Sequence, residues 1–535
     1  MVLRKEFHHN IYIFALILLA VSLPLSIWLT SLAQIILSLN WLIEGKLKKK
    51  IQGLKNNVSI PLIISLYFLH VAGLLFTTDF SYALHDLKIK LPILLLPIII
   101  GTSEPLSSKN FRTILLAFTG ACLIGTLVSM TVFLGIYPGG YNDIREISLF
   151  ISHMRFSLMI VFSIFILLYF IFSNREGFTF SREWKIIFGI TDLWLMAFLF
   201  ILKTLTGLVI FGSILFFLAL KYSGSIKNAA YRLIVRFIIL AFPLVIFAFL
   251  NRSVERFFLT EEVNFASLDS HTPYGNPYFH DTLVAEVENG NFVWIYISDD
   301  ELRKSWNIIS DYKYDGKDKR GQDIRFTLIR YLSSKGLRKD QNGIKQLKKE
   351  DISAIENGLT NYIFLDRLSL YPRIYEIIWE IDRYRKGYNP GGHSVAQRLL
   401  YLKAAVFIIG EHPFFGTGTG DVQKEFNKYY KEKQSRLEER WRRRAHNQYI
   451  TFLLTFGIFG FLISMASLII PPFREKSWNS YFFVIFFIIS FISMLNEDTL
   501  ETHSGVSFFM FFYCLLVFGR NGASDSHEGC HRFTD

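Results

Sequence analysis

Apolar positions in this chain come in long unbroken blocks, neither alternating as in a strand nor forming the one-sided stripe of a surface helix. A helix crossing ~30 Å of hydrocarbon needs ~17–25 such residues. About twelve runs approach that requirement, at 10–27, 28–44, 59–76, 89–101, 111–136, 154–173, 185–202, 204–221, 233–250, 447–470, 477–495 and 504–519. The fourth is short and the first two share a weak boundary, so the count is good to one or two. The pattern predicts an all-α polytopic membrane protein with a membrane domain of about nine spans over 1–250. An insert over 251–393, an interfacial helix and loop over 394–446, about three closing spans over 447–519 and a tail over 520–535 follow.

The interval between spans nine and ten has a different rhythm. In HDTLVAEVENGNFVWIYI, two runs rich in Val, Ile and aromatics flank ENGN, which predicts a hairpin with an Asn-Gly turn. Helical patterns follow in DELRKSWNIIS, GQDIRFTLIRYLSSKG and KKEDISAIENGL, so the insert is expected to be a compact α+β domain. The apolar stretch from Ser394 to Gly410 is interrupted by Arg398 and Lys403 and stops too soon to span. It is expected to lie along the membrane surface, with Ser394 as its N-cap.

Short loops rich in Lys and Arg stay in the cytoplasm. GKLKKKIQGLKNN, SEPLSSKNFR, SNREGFTFSREWK, KYSGSIKNAAYR, PPFREKS and the GRNGASD tail therefore place both termini inside and the 251–445 block outside. SLAQ, just after the first run, resembles a signal-peptide cleavage site, but losing that run would upset the parity of the spans.

Composition agrees. Of 535 residues, 51% are apolar and 53 are Phe, which excludes an ordinary soluble domain. The net charge of +12 is accounted for by inside loops and anionic lipid headgroups, so no nucleic-acid partner is expected. Cys122 and Cys514 lie in spans and Cys530 in the tail, which leaves no outside disulfide within one chain.

Candidate chemistry gathers at the outer boundary. Arg398 stays charged at any working pH and grips phosphate through parallel hydrogen bonds, although a snorkelling interfacial Arg has the same sequence signature. His446 immediately precedes a span, where the helix dipole should keep it neutral and able to accept a hydroxyl proton; a plain helix cap is the alternative. Arg155 and Lys203, at span ends, could add positive charge or simply anchor the boundary. Gly416, Gly418 and Gly420 in HPFFGTGTGD permit close backbone approach to a ligand, or merely end a helix. Glu497 and Asp498 in NEDTLE could position an acceptor or pair with the Arg residues. The arginines at 442–444 are expected at headgroups, and Tyr429, Tyr430 and Tyr449 as interfacial aromatics. No metal-ligand spacing appears and no cofactor is expected.

SVAQRLLYLKAAVFIIGEHPFFGTGTGD followed by AHNQYITFLLTFGIFGF resembles the core of the O-antigen ligase and polymerase superfamily. The resemblance is carried by an Arg on an aromatic-rich helix, a His-Pro-apolar-apolar-Gly-x-Gly turn and a His-Asn opening the next span. It implies a multi-pass enzyme of the bacterial inner membrane, its large loop periplasmic. Such an enzyme moves a glycan from undecaprenyl diphosphate onto a hydroxyl of lipid A core, another glycan or a protein. Arg398 and His446 match the family's functional loop Arg and His. The family's further Arg, usually in a Ser-Arg pair, would fall at Leu205, leaving Lys203 or Arg155 as its substitute. The competing classes are a polytopic transporter or flippase, which would show charges near mid-span, and a sensor or scaffold using the insert.

Overall fold

The computed structural model describes residues 2–137, 144–174, 177–366, 369–435 and 437–520. Cys530, the tail beyond 520 and part of the YPGGYNDIREI loop lie outside the described residues. Each long apolar run is helical. α1 (Val2–Leu25) and α2 (Ile27–Ile43) are separated at Ser26, whose hydroxyl accepts the Leu29 N–H. α3 (Leu47–Asn56) turns 109° away from α2. α4 (Ser59–Ala72) continues through a 3-10 turn to Phe76, and α5 (Phe80–Ile89) and α6 (Leu91–Thr102) break at Lys90. Then come α7 (Ser108–Phe133), α8 (His153–Phe172), α9 (Arg182–Leu202), α10 (Leu205–Ser223) and α11 (Ala229–Phe258).

The chain divides into two compact units, 1–232 together with 390–535, and 233–389, the division falling inside α11. In the second unit β1 (Val287–Glu288) pairs antiparallel with β2 (Asn291–Phe292). Asn289 and Gly290 both take positive φ, 51° and 92°, as the predicted two-residue turn demands. The strands are only two residues long, and among the described residues the remaining pairing is isolated bridges, so the expected α+β insert is mostly helical. α12 (Asp299–Ile309), α13 (Ile324–Ser334), α14 (Gln341–Lys345), α15 (Lys349–Glu356) and α16 (Tyr371–Arg385) supply the rest. Trp306, Tyr314, Leu328 and Tyr331 form their core, and the Tyr331 hydroxyl donates to Asp351 at 2.6 Å.

The first unit resumes with α17 (Ser394–Glu411), α18 (Val422–Glu432), α19 (Gln448–Arg474), α20 (Tyr481–Ser493) and α21 (His503–Phe518). Among the described residues, eight helices are long and apolar enough to cross a membrane, nine if α2 and α3 count as one broken span. α6, α20 and α21 fall short at 12, 13 and 16 residues. The α20 shortfall has a structural cause, because the backbone leaves the helix at Met494 to build the loop described below.

Lipid is as apolar as Leu, so helices in a bilayer associate through close packing. Phe118, Phe162 and Phe512 interlock edge to face at 4.7 and 4.9 Å, joining α7, α8 and α21. A Cβ on Gly207 would lie 2.8 Å from the Ser157 side chain, so glycine is what lets α10 approach α8 this closely.

Candidate active site

α17 and α18 face each other through a small core of their own. Tyr401, Ala404, Ala405 and Ile408 recur at helical spacing on α17 and meet Val422, Phe426, Tyr429 and Tyr430 of α18. Tyr429 and Tyr430, expected as interfacial aromatics, are therefore core residues, while Leu402 and Val406 leave an apolar α17 face exposed. The N-cap of α17 is His393 rather than Ser394, and it makes no side-chain cap. This core ties down the approach to α19: the Tyr430 hydroxyl donates to the Arg443 carbonyl at 3.1 Å, that of Tyr401 donates to the Trp441 carbonyl, and Ala445 is buried against both helices.

The glycine turn joining α17 to α18 is seated by a break in α19. Gly457 adopts φ +63°, interrupting the helical ladder. The freed carbonyls of Leu454 and Thr455 accept the N–H groups of Thr417 (2.8 Å) and Gly418 (3.0 Å), while Ile458 donates to the Pro413 carbonyl at 2.9 Å. A Cβ on Gly416 would sit 2.4 Å from the Phe456 nitrogen, and one on Gly418 2.9 Å from the Gly73 carbonyl. The close approach that the sequence suggested for a ligand is thus made to the protein's own backbone. Asp421 completes the seat by accepting the N–H groups of Thr78 (2.7 Å) and Asp79 (3.0 Å).

Arg398, one helical turn before Tyr401, reaches the loop between α20 and α21. Its guanidinium donates to Asn496 Oδ1 at 2.9 Å and to Glu497 Oε1 at 3.2 Å. Asn496 in turn donates to Thr206 Oγ1 at 2.8 Å, bringing in the start of α10. Lys203 stands three residues earlier, half-buried with φ +50° in the tight turn after α9. Arg155, in the first turn of α8, hydrogen-bonds Ser152 and acts electrostatically on Glu497 and on His446. Burial lifts the Glu497 carboxyl above its usual range against the pull of Arg398 and Arg155.

His446 takes a left-handed conformation, φ +51°, directly before Asn447. Asn447 is the actual cap of α19, accepting the Ile450 N–H at 3.1 Å. The His446 ring lies 5.9 Å from that of Tyr401. Burial first, then the positive charges of Arg398, Arg443 and Arg155, hold its imidazole down at about 4. Burial and neighbouring arginines, rather than the helix dipole invoked from the sequence, favour its neutral form.

Sequence reasoning missed a second constellation. Lys90 bonds both oxygens of Asp86 at 2.6 Å and Glu501 at 2.8 Å, and Arg444 pairs with the same Glu501 at 3.3 Å and with the Tyr82 hydroxyl. Gln448 donates to Glu501 at 3.1 Å and accepts the Leu500 N–H at 2.7 Å. Arg444, expected at headgroups, is instead largely buried, with a side chain 12% exposed. The signal available was Lys90 interrupting an apolar run four residues after Asp86. Burial would raise the Glu501 carboxyl, but Lys90 and Arg444 override it and hold it low. Asp498, bonded by Thr451 at 2.8 Å, is pushed by burial and by Glu501 up to about 6.

The structure therefore brings Arg398, Arg155, Glu497 and His446 into one electrostatic neighbourhood, backed by the Lys90–Glu501–Arg444 network. One grouping of metal-ligand type, not foreseen from spacing, also forms: Glu411, His412 and Glu425 have ligand atoms within 4.8 Å of one another, with Glu425 paired to Lys428 at 3.6 Å. A family model described as O-antigen ligase matches residues 358–465. That segment holds Arg398, the glycine turn, His446 and the first half of α19. No curated protein matches the chain.

Proposed function

We propose, from the match of residues 358–465 to the O-antigen ligase family model, a membrane glycosyltransferase that moves a glycan from undecaprenyl diphosphate onto an acceptor hydroxyl. The acceptor is lipid A core, the membrane is the bacterial inner membrane, and the site faces the periplasm. The observation that carries this reading is the convergence of one segment on one place: α17 sets Arg398 on Asn496 and Glu497, while its Tyr401 ring lies 5.9 Å from the imidazole of His446, just before the Asn447 cap of α19.

The acceptor oxygen attacks the anomeric carbon of the donor sugar as the bond from that carbon to the diphosphate oxygen breaks. The electron pair leaves with the diphosphate, and the hydroxyl proton passes to His446. A positioned general base contributes ~10²–10⁴-fold to such a step, and with its imidazole held near 4 His446 is a weak base that is always in its accepting form. Arg398 and Arg155 stabilise charge gathering on the departing diphosphate, where preorganised cations act without reorganisation. Three of the five guanidinium N–H groups of Arg398 are engaged, by Asn496, Glu497 and, at 3.9 Å, the Met154 sulfur, so its fork retains two donors for phosphate. Lys203 adds a cation at the neighbouring turn. Gly416 and Gly418 serve indirectly, by seating the turn that fixes α17 against α19.

The reading is tested by glycan display in a strain lacking the gene and complemented with wild type, Arg398→Ala or His446→Ala, each checked for membrane insertion. Loss of polymer from the surface lipid, with full-length chains accumulating on the lipid carrier, is the expected result for both variants. Accumulation of single repeat units would make the protein a polymerase, and glycosylation of a protein acceptor an oligosaccharyltransferase. Normal display by both variants would overturn the site.

A further inference from the structure

α18 has a buried face, described above, and a polar face that the proposed reaction does not use. Lys424, Lys428 and Lys431 follow one another at helical spacing along that face, and with Gln423 and Asn427 they line a cavity of about 640 Å³. Its opposite wall is the start of α5, where Tyr82 borders the cavity with the Arg444 guanidinium 4.9 Å over its ring. Two carboxylates, Asp79 and Glu432, also border the cavity and Glu425 pairs with Lys428 at 3.6 Å, so it is a mixed polar surface. Lys424 is steered by a 2.8 Å bond to Thr78 Oγ1, whereas Lys431 extends freely into solvent from an exposed position.

The cavity is built onto the backbone that delivers His446. Gln423 Nε2 donates to the Arg442 carbonyl at 3.0 Å, and the Tyr82 hydroxyl bonds Arg444, two residues before His446. Its wall is thus continuous with the segment that carries the base. The chemistry of the lining is that of a sugar site: amides and carboxylates that bond hydroxyls, and lysines for attached phosphate. Arg398 and Arg155 already answer for the donor diphosphate, which leaves this cavity for the other reactant.

We propose that the α5–α18 cavity is the acceptor subsite and binds a phosphorylated oligosaccharide, the lysines engaging its phosphate while Gln423 and Asn427 hold the sugar. The proposal deepens the glycan-transfer reading and rests on it for the word acceptor.

The test uses the full-length protein in nanodiscs. The probe is a deacylated lipid A core oligosaccharide that retains its phosphates, compared with the same material after phosphatase treatment, with binding read by calorimetry. Wild type should bind the phosphorylated form about tenfold tighter, and Lys428→Glu with Lys431→Glu should abolish the difference. Both side chains are exposed and only the surface pair of Lys428 with Glu425 is lost, so the variant should show at most a small drop in thermal stability. Equal binding of the two forms, or wild-type affinity in the variant, overturns the subsite, and equal displacement by inorganic phosphate reduces it to an anion site and overturns the saccharide assignment. In transfer assays the variant should raise KM for acceptor about tenfold and leave KM for donor unchanged, while the reverse pattern overturns the acceptor assignment. Arg398→Ala should lose transfer and keep probe binding. A wild type that binds the probe but transfers nothing would sink the enzymatic reading while upholding the saccharide site.

Discussion

Arg398 on α17 and Glu497 in the α20–α21 loop, 99 residues apart in the chain, meet at 3.2 Å. The contact clamps a helix that only partly joins the bundle core to a loop interrupting it. It also sets a cation beside a carboxylate whose charge burial disfavours.

Replacing Glu497 by Gln keeps the acceptor atom and removes the negative charge. The positive field at the donor site should strengthen, lowering KM for the diphosphate donor several-fold, on the order of 1 kcal/mol. Steady-state kinetics with varied donor would show it; an unchanged donor KM would detach Glu497 from the site.

Arg398→Lys keeps the charge and loses the fork. Because charge-assisted hydrogen bonds contribute about 1.5–3 kcal/mol, transfer should fall roughly ten- to a hundredfold, and further in Arg398→Ala. Full activity in the Lys variant would mean that a point charge suffices.

With the His446 imidazole held near 4, the neutral base persists at acid pH and transfer should decline only as pH falls through about 4. Arg443→Gln removes one of the charges that depress it, so the acid limb of the pH–rate profile should move upward. The stability sign follows from linkage. The unfolded chain, with its ordinary value of 6.5, binds more protons than the folded one between 6.5 and about 4, so stability erodes as pH drops across that window. An acid limb indifferent to Arg443 would remove that residue from the titration.

Glu501→Ala would strand Lys90 and Arg444 without their shared carboxylate. Breaking a buried pair from one side costs about 3–5 kcal/mol. A large loss of Tm in detergent is expected, with transfer lost as well because Gln448 and Arg444 flank His446. For Glu501 itself, whose folded value lies below the ordinary 4.5, the stabilisation is present above that pH and lost below it. A near-native Tm would show that water or lipid already satisfies the cluster.

Gly416→Ala would set a Cβ 2.4 Å from the Phe456 nitrogen at a residue with φ +71°. Strain of this kind costs about 1–3 kcal/mol. Reduced Tm and transfer should appear together, since the turn seats α17; an unaffected Tm would show that the turn yields.

Much was legible in sequence because it rests on local rules. Apolar runs became helices because a backbone in lipid must bond to itself, and Asn289-Gly290 became a tight turn because both positions need positive φ. His446 and Arg398 could be singled out as candidates because His-Asn before a span and an Arg within an apolar helix are local signals. What tertiary structure decided depends on groups far apart in the chain. No local rule says that a kink at Gly457 frees two carbonyls for the glycine turn, or that Arg444 leaves the lipid boundary. Arg444 is drawn inward because Lys90, Asp86 and Glu501, contributed by elements more than 400 residues apart, can offset its desolvation only once the helices have packed.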